Sequence, residues 1–258
     1  MTAIPYYHRI HKETDVFEHA FRNKIPCLLK GPTGSGKSRF VEFMAHQLGK
    51  KLITISCHEE TSSTDLIGRF IIKGAETVWI DGPLTTAVRE GAILYMDEVA
   101  EARPDVLVAI HSLTDHRREL FIDKLGETVS AHEDFMLAAS FNPGYQRGFK
   151  ELKPSTRQRF IALSFGYPEP KIETEILIKE TGADPDVARK LVAIGNKIRN
   201  LTELGLAETV STRLLVDAAK LIHSGLPRRL SVHVAVVEPL TDDPTTIEAL
   251  RDLADLMI

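Results

Sequence analysis

The sequence predicts an α/β fold on a mostly parallel, five-stranded sheet, followed by a smaller all-helical region. Three observations carry this reading. Five short apolar runs, at 25–30, 52–56, 92–96, 135–140 and 160–165, are near-continuous, as in strands covered on both faces. Helical patterns fall between them. The alternation stops near Tyr167-Pro168-Glu169-Pro170, and beyond it the periodicity is helical.

In chain order, the strand at 25–30 runs into a glycine-rich turn. A helix at 38–48 follows, with Val41, Met44, Ala45 and Leu48 on one face. After the strand at 52–56, the segment FIIKGAETVW (70–79) sets two apolar arms around Lys73-Gly74 and reads as a short hairpin. The strand at 92–96 precedes a helix at 103–115, whose apolar face is Val106, Leu107, Ile110 and Leu113. ELFIDKLGET (119–128) reads as a second hairpin with its turn near 124–126, before the strands at 135–140 and 160–165. Beyond Tyr167, helices are expected at 171–181, 185–204, 211–224 and 244–257. The segment 228–237 is β-branched yet set among helices, so strand and helix both remain open. The expected domains are 1–167, with insertions at about 70–80 and 117–131, and a helical lid at 168–258.

Composition narrows the function classes. With 26% charged and 43% hydrophobic residues, the 258-residue chain is neither collagenous nor disordered. No apolar run exceeds five residues, so no membrane-spanning helix is expected. Residues 1–10 lack the apolar core of a signal peptide, and Cys27 and Cys57 are too few for a disulfide framework. A cytoplasmic protein is therefore expected. The net charge of −4 offers no footprint for nucleic acid. It resides in the last 18 residues, where Asp242, Asp243, Glu248, Asp252 and Asp255 face Arg251 alone. None of His8, His11, His111 and His116 stands with Cys or acids at a zinc-ligand spacing.

The glycine-rich turn is the most specific signal. Gly31-Pro32-Thr33-Gly34-Ser35-Gly36-Lys37-Ser38 matches G-x-x-x-x-G-K-[ST], and it lies between an apolar strand and an amphipathic helix, as that phosphate loop must. Glycines let successive N–H groups turn toward phosphate oxygens, and the helix N-terminus adds positive potential. Lys37 is then placed to reach the β- and γ-phosphates of ATP, and the Ser38 hydroxyl to bind Mg²⁺. The run Ala92-Ile93-Leu94-Tyr95-Met96 ends in Asp97-Glu98, at the strand end where open α/β sheets bind ligands. Asp97 is expected to hold the Mg²⁺ shell and Glu98 to orient the attacking water. Asn142, in Ser140-Phe141-Asn142-Pro143-Gly144, is expected to reach the γ-phosphate or that water; a plain Asn-Pro-Gly turn is the alternative.

Arginines supply the remaining candidates. Arg157 and Arg159 stand directly before the fifth strand, where a guanidinium suits a neighbouring subunit's phosphate better than this chain's own. Arg213 follows Ser211, a plausible N-cap, at the start of a helix, from which it can reach back to phosphate. Tyr6 and Tyr7 either flank the adenine or form a packed aromatic pair.

These residues, in this order, resemble the AAA+ ATPases. There the phosphate loop, Asp97-Glu98, Asn142, the Arg157/Arg159 pair and Arg213 correspond to Walker A, Walker B, sensor 1, arginine finger and sensor 2. The two hairpin segments look like the helix-2 insert and the hairpin before sensor 1, which mark the branch containing the MoxR ATPases. Within it, the chain is similar to the CbbQ/NirQ/NorQ group. The residues that carry this likeness are Ile4-Pro5-Tyr6-Tyr7, Asp65-Leu66-Ile67-Gly68-Arg69-Phe70, Trp79-Ile80-Asp81-Gly82-Pro83-Leu84 and Ser140-Phe141-Asn142-Pro143-Gly144-Tyr145. The resemblance implies a hexameric ring with ATP at subunit interfaces and an adaptor with a von Willebrand factor A domain. It implies a target enzyme too: inhibited Rubisco in the CbbQ branch, a nitric oxide reductase in the NorQ/NirQ branch. Arg159, directly before Phe160, has the usual setting of the finger, with Arg157 second. Thr212 departs from the pattern, since many relatives carry Pro there.

Overall fold

A computed structural model describes residues 5–143, 152–201 and 206–258. Its elements, in order, begin with α1 (Glu13–Arg22), β1 (Cys27–Lys30), α2 (Lys37–Gln47), β2 (Leu52–Ser56) and α3 (Ser63–Ile67). Next come β3 (Gly68–Lys73), β4 (Glu76–Asp81), α4 (Pro83–Glu90), β5 (Ile93–Asp97) and α5 (Pro104–His111). Then follow β6 (Glu119–Ile122), β7 (Glu127–Ser130), β8 (Met136–Phe141), α6 (Pro154–Arg157) and β9 (Ile161–Ser164). The last helices are α7 (Pro170–Thr181), α8 (Pro185–Arg199), α9 (Thr212–His223), α10 (Arg228–Val232) and α11 (Pro244–Asp255). The chain forms two compact units, one of residues 1–31 and 37–164, the other of 32–36 and 165–258.

The first unit is built on a five-stranded sheet in the order β2-β5-β8-β1-β9, with every pairing parallel. The central strands are the most apolar: all six residues of β8 are buried, as are Ile93 to Met96 of β5. Strands β2 and β9, which pair on one side only, mix half-buried and exposed positions. Leu94, Met96, Leu137 and Ala139 pack in one cluster with Leu84 and Val88 of α4 and Val106 and Ile110 of α5. Phe17 of α1 meets Phe40 of α2 edge-on, with ring centroids 5.4 Å apart. Full burial of such a ring is worth about 1.5–3 kcal/mol relative to exposure.

Both expected hairpins are antiparallel pairs. β3 pairs with β4 through Phe70↔Trp79 and turns at Gly74, whose φ of 67° favours glycine. β6 pairs with β7 through Phe121↔Thr128. Helices α1 and α4 are additions to the pattern read from sequence. Pro83 opens α4 at its first turn, and Gly91 closes it in the left-handed conformation.

The second unit is helical. Leu177 of α7, Leu191 and Ile198 of α8, Leu215 and Ala218 of α9, and Leu250 and Ala254 of α11 share one core. Asp184, Ser211 and Asp243 cap α8, α9 and α11 through their side chains. The ambiguous segment 228–237 resolves as α10 continued by a π-helical turn at His233–Val237. Val232, Val236 and Val237 are buried in the helical core, which offers no strand edge for pairing. The expected helix at 185–204 ends at Arg199; positions 202–204 lie outside the described residues. The helix expected at 244–257 carries the acidic C-terminal segment. Its residues 244–255 form α11, Asp243 is its N-cap, and Asp255 accepts a 2.9 Å contact from His233.

Candidate functional site

The phosphate loop follows β1 and opens α2. Gly34 and Gly36 have φ of 68° and 90°, a region that only glycine enters freely. Ser35 turns back on Pro32, its hydroxyl donating to the Pro32 carbonyl at 2.8 Å. Lys37, the first residue of α2, is buried, and a buried ammonium needs acceptors. Its Nζ donates to the Gly31 carbonyl at 2.9 Å and to Asn142 Oδ1 at 2.8 Å. Asn142 stands one residue past β8, so strand order in the sheet places this amide beside the loop.

The acid pair closes the cluster. Ser38 Oγ donates to Asp97 Oδ2 at 3.2 Å, and Tyr95 Oη donates to Asp97 Oδ1 at 2.9 Å. Tyr95 Oη also lies 3.2 Å from Ser38 Oγ. Burial pushes the Tyr95 hydroxyl above its ordinary range, so it stays a donor. The Ser140 hydroxyl donates to Asp97 Oδ1 and accepts the Glu98 backbone N–H at 3.1 Å. Glu98 has φ 55° and ψ 45°, a left-handed conformation unusual for a residue with a Cβ. The Asn142 amide nitrogen lies 3.5 Å from Glu98 Oε1. Lys37, Ser38, Asp97, Glu98 and Asn142 are thus brought together.

The arginines join other groups. Arg159 Nη1 donates to the His111 carbonyl at 3.2 Å and lies 3.4 Å from Asp115 Oδ2. Asp115 also takes Arg117 Nη2 at 2.8 Å, and these guanidinium contacts hold its carboxyl well below the usual range. Arg157 is exposed at the end of α6. In the second unit, a Cβ on Gly34 would lie 2.5 Å from Ser211 Cβ and 3.4 Å from Arg213 Cβ. The tip of the phosphate loop therefore abuts the start of α9, and Arg213 with it. Thr33 Oγ1 donates to Glu208 at 2.8 Å, and Tyr167 Oη donates to the Thr33 carbonyl at 3.2 Å.

Tyr7 is a packed aromatic. Its ring lies 5.2 Å from Phe40 and 5.6 Å from Phe43, and its hydroxyl donates to Glu13 at 3.0 Å. Ile4, Gly144 and Tyr145, which contributed to the resemblance, lie outside the described residues. Sequence reasoning missed Tyr95 and Ser140 as site residues. A signal existed for both: Tyr95 stands two positions before Asp97, on the same face of β5, and Ser140 two positions before Asn142.

Among the described residues, no group of three His, Cys, Asp or Glu side chains converges as a metal site. The Ser38 and Asp97 oxygens form a smaller donor set. It fits Mg²⁺, which keeps waters and takes one or two protein oxygens beside substrate phosphates.

Along most of its length the chain resembles known families and proteins. Residues 26–160 match the family described as AAA domain (dynein-related subfamily), and residues 173–257 match CbbQ/NirQ/NorQ C-terminal. Protein CbbQ of Hydrogenophilus thermoluteolus is 53% identical over 98% of this chain and 95% of its own. Protein NorQ of Paracoccus denitrificans is 55% identical over 97% of this chain and 93% of its own. A solved RuvB mutant from Thermotoga maritima shares the fold at 15% identity, with a TM-score of 0.56 over 94% of this chain and 68% of that one.

Proposed function

The chain belongs to the CbbQ/NirQ/NorQ group of MoxR-type AAA+ ATPases, and from that premise we propose a Mg²⁺-dependent ATP hydrolase that forms a hexameric ring. In this reading the ring remodels a target enzyme through an adaptor with a von Willebrand factor A domain. The observation that carries hydrolysis is the hydrogen-bonded cluster of Lys37, Ser38, Asp97, Glu98 and Asn142. A nucleotide-dependent scaffold has no need of Glu98 beside a Mg²⁺-binding acid.

Residues 31–36 and the N-terminus of α2 cradle the phosphates, and Lys37 exchanges its Gly31 and Asn142 acceptors for phosphate oxygens. Ser38 and Asp97 would hold Mg²⁺, which would supply positive charge beside the phosphates. Glu98 accepts a proton from water and aims it in line, with Asn142 on the other side of that water. Arg213 contacts phosphate from α9, and Arg159 acts on the neighbouring subunit's nucleotide, with Arg157 as the second choice.

For the target, reactivation of Rubisco blocked by tight sugar phosphates is the first reading, through the likeness to CbbQ. Maturation of a nitric oxide reductase is the second, favoured by the comparable likeness to NorQ. The exposed apolar residues of the β3–β4 hairpin, Phe70, Ile80 and Ile72 at 82% exposure, are the surface through which hydrolysis would act on a partner.

Glu98→Gln is expected to bind ATP as tightly as the natural protein and to lose at least a hundredfold in turnover. Unchanged turnover in that variant rejects the mechanism. For the target, the protein and its adaptor are incubated with ATP and either sugar-phosphate-inhibited Rubisco or immature nitric oxide reductase. Recovery of one activity and not the other selects the target.

A further inference from the structure

One hydroxyl joins the two acids of the candidate site. Ser140 is fully buried in β8, in a strand otherwise apolar from Met136 to Phe141. A serine hydroxyl has one proton to give and lone pairs to accept with. Here the proton goes to Asp97 Oδ1, and a lone pair receives the Glu98 N–H at 3.1 Å. The direction is fixed, because an ionised carboxylate only accepts and a backbone N–H only donates. Each bond polarises the next in such a chain, and a buried polar group without partners is costly. The bond to Glu98 meets the chain where it is strained. Glu98 sits in the left-handed region at φ 55°, and a residue with a Cβ stays there only when its surroundings hold it. That turn sets the direction of the Glu98 side chain relative to Asp97. Tyr95 Oη donates to the same Asp97 oxygen at 2.9 Å, so Ser140 and Tyr95 fix that carboxylate oxygen together and Oδ2 is left facing Ser38.

We propose that Ser140 is a positioning residue for hydrolysis, whose single hydroxyl sets both the metal-facing carboxylate of Asp97 and the strained backbone of Glu98. The inference rests on the ATPase reading above. It adds to β8, which leads directly into Asn142, a second role carried by Ser140. A serine that only filled space would matter to stability and not to turnover.

The test compares Ser140→Ala, Ser140→Thr and Ser140→Val in the full chain. Thr and Val share a shape and differ in the hydroxyl. Turnover is measured across ATP and Mg²⁺ concentrations. Separately, Mg²⁺ is titrated against the fluorescence of bound N-methylanthraniloyl-ATP, which reads metal binding without hydrolysis. Ser140→Ala and Ser140→Val are expected to lower kcat about tenfold or more while KM for ATP stays within about threefold. The half-saturating Mg²⁺ concentration is expected to rise about threefold or more. Ser140→Thr is expected to recover most of the turnover. Ser140→Ala turning over within twofold of the natural protein overturns the proposal, as do equal effects of Thr and Val. So does folding of Thr alone, which would make the hydroxyl a folding determinant. If the natural protein itself shows no turnover, the ATPase reading fails first. If it hydrolyses ATP, Glu98→Gln does not and Ser140→Ala is unimpaired, only the positioning role falls.

Discussion

Single atoms decide several properties. A Cβ on Gly34 would meet Ser211 at 2.5 Å and would sit at φ 68°. Gly34→Ala is therefore expected to cost about 1–3 kcal/mol in backbone strain. It should also weaken ATP binding by an order of magnitude or more, because the loop N–H groups lose their aim; equilibrium titration with a fluorescent ATP analogue measures this. The cysteines make a second case. Burial pushes the Cys27 thiol up to about 12, and burial with the nearby Asp97 and Glu98 charges does the same to Cys57. Thiolate is the reactive form, so alkylation by iodoacetamide at pH 8 is expected to run about a thousandfold slower than for free cysteine. The sign for stability follows. As pH rises past about 9, the unfolded chain releases thiol protons that the folded one keeps, so stability falls with pH there. At this scale the sequence was readable where a residue type has one use. Gly31, Lys37 and Ser38 follow from the spacing of one motif. Tyr95 and Ser140 sat inside apolar runs, and their contacts to Asp97 needed the order of strands in the sheet.

At the scale of elements, three helices meet on one buried ion pair. Arg199 of α8 grips Glu173 of α7 with two bonds of 2.7 Å and donates a third to the Val210 carbonyl at 2.7 Å. Thr212, the first residue of α9, donates to Glu173 at 2.6 Å, and the Arg199 guanidinium stacks 4.2 Å from the Tyr167 ring centroid. Removing one partner of such a pair strands a buried charge, so Glu173→Ala is expected to destabilise the protein by about 3–5 kcal/mol in denaturant unfolding. Thr212→Pro is a milder change. Proline suits the first helical position, so α9 should still start at Ser211, and the loss is one hydrogen bond to a charged carboxylate, about 1.5–3 kcal/mol. The departure at Thr212 is thus absorbed by a contact, and the helix begins where the Ser211 cap predicts. Helices α2, α8 and α9 were expected from the sequence. Helices α1 and α4 were not, although each has an apolar side, with Phe17 and Ala20 buried in α1 and Leu84, Ala87 and Val88 in α4. The C-terminal helix was legible too, expected at 244–257 and found at 244–255, where α11 buries Leu250 and Ala254 and uses Asp243 as a cap. Deleting residues 241–258 is therefore expected to uncover the helical core and lower the melting temperature.

At the scale of the whole molecule, the two halves of a catalytic site need not belong to one chain. Within a subunit, Arg159 is engaged by His111 and Asp115, while Lys37, Ser38, Asp97, Glu98 and Asn142 form their own cluster. Asp115 is bonded to Arg117 and Arg159 alike. In the proposed ring the interface would be heterologous and head-to-tail, each subunit lending one surface and receiving the other. The consequence can be tested without a structure of the ring. Glu98→Gln should lack the water-orienting acid in its own site, and Arg159→Ala should fail to complete its neighbour's. Each variant alone is then expected to be nearly inactive. Mixed and allowed to exchange subunits, they should recover activity at every interface where an intact Glu98 faces an intact Arg159. With equal amounts and random placement, that is about a quarter of the interfaces, and turnover should approach that share of the natural protein's. The same mixture made with Arg157→Ala in place of Arg159→Ala tells the two candidates apart, because only the variant lacking the finger is inactive alone and rescued on mixing. An Arg159→Ala protein that hydrolyses ATP at full rate would falsify its assignment, and rescue with Arg157→Ala instead would move the role two residues back along the chain.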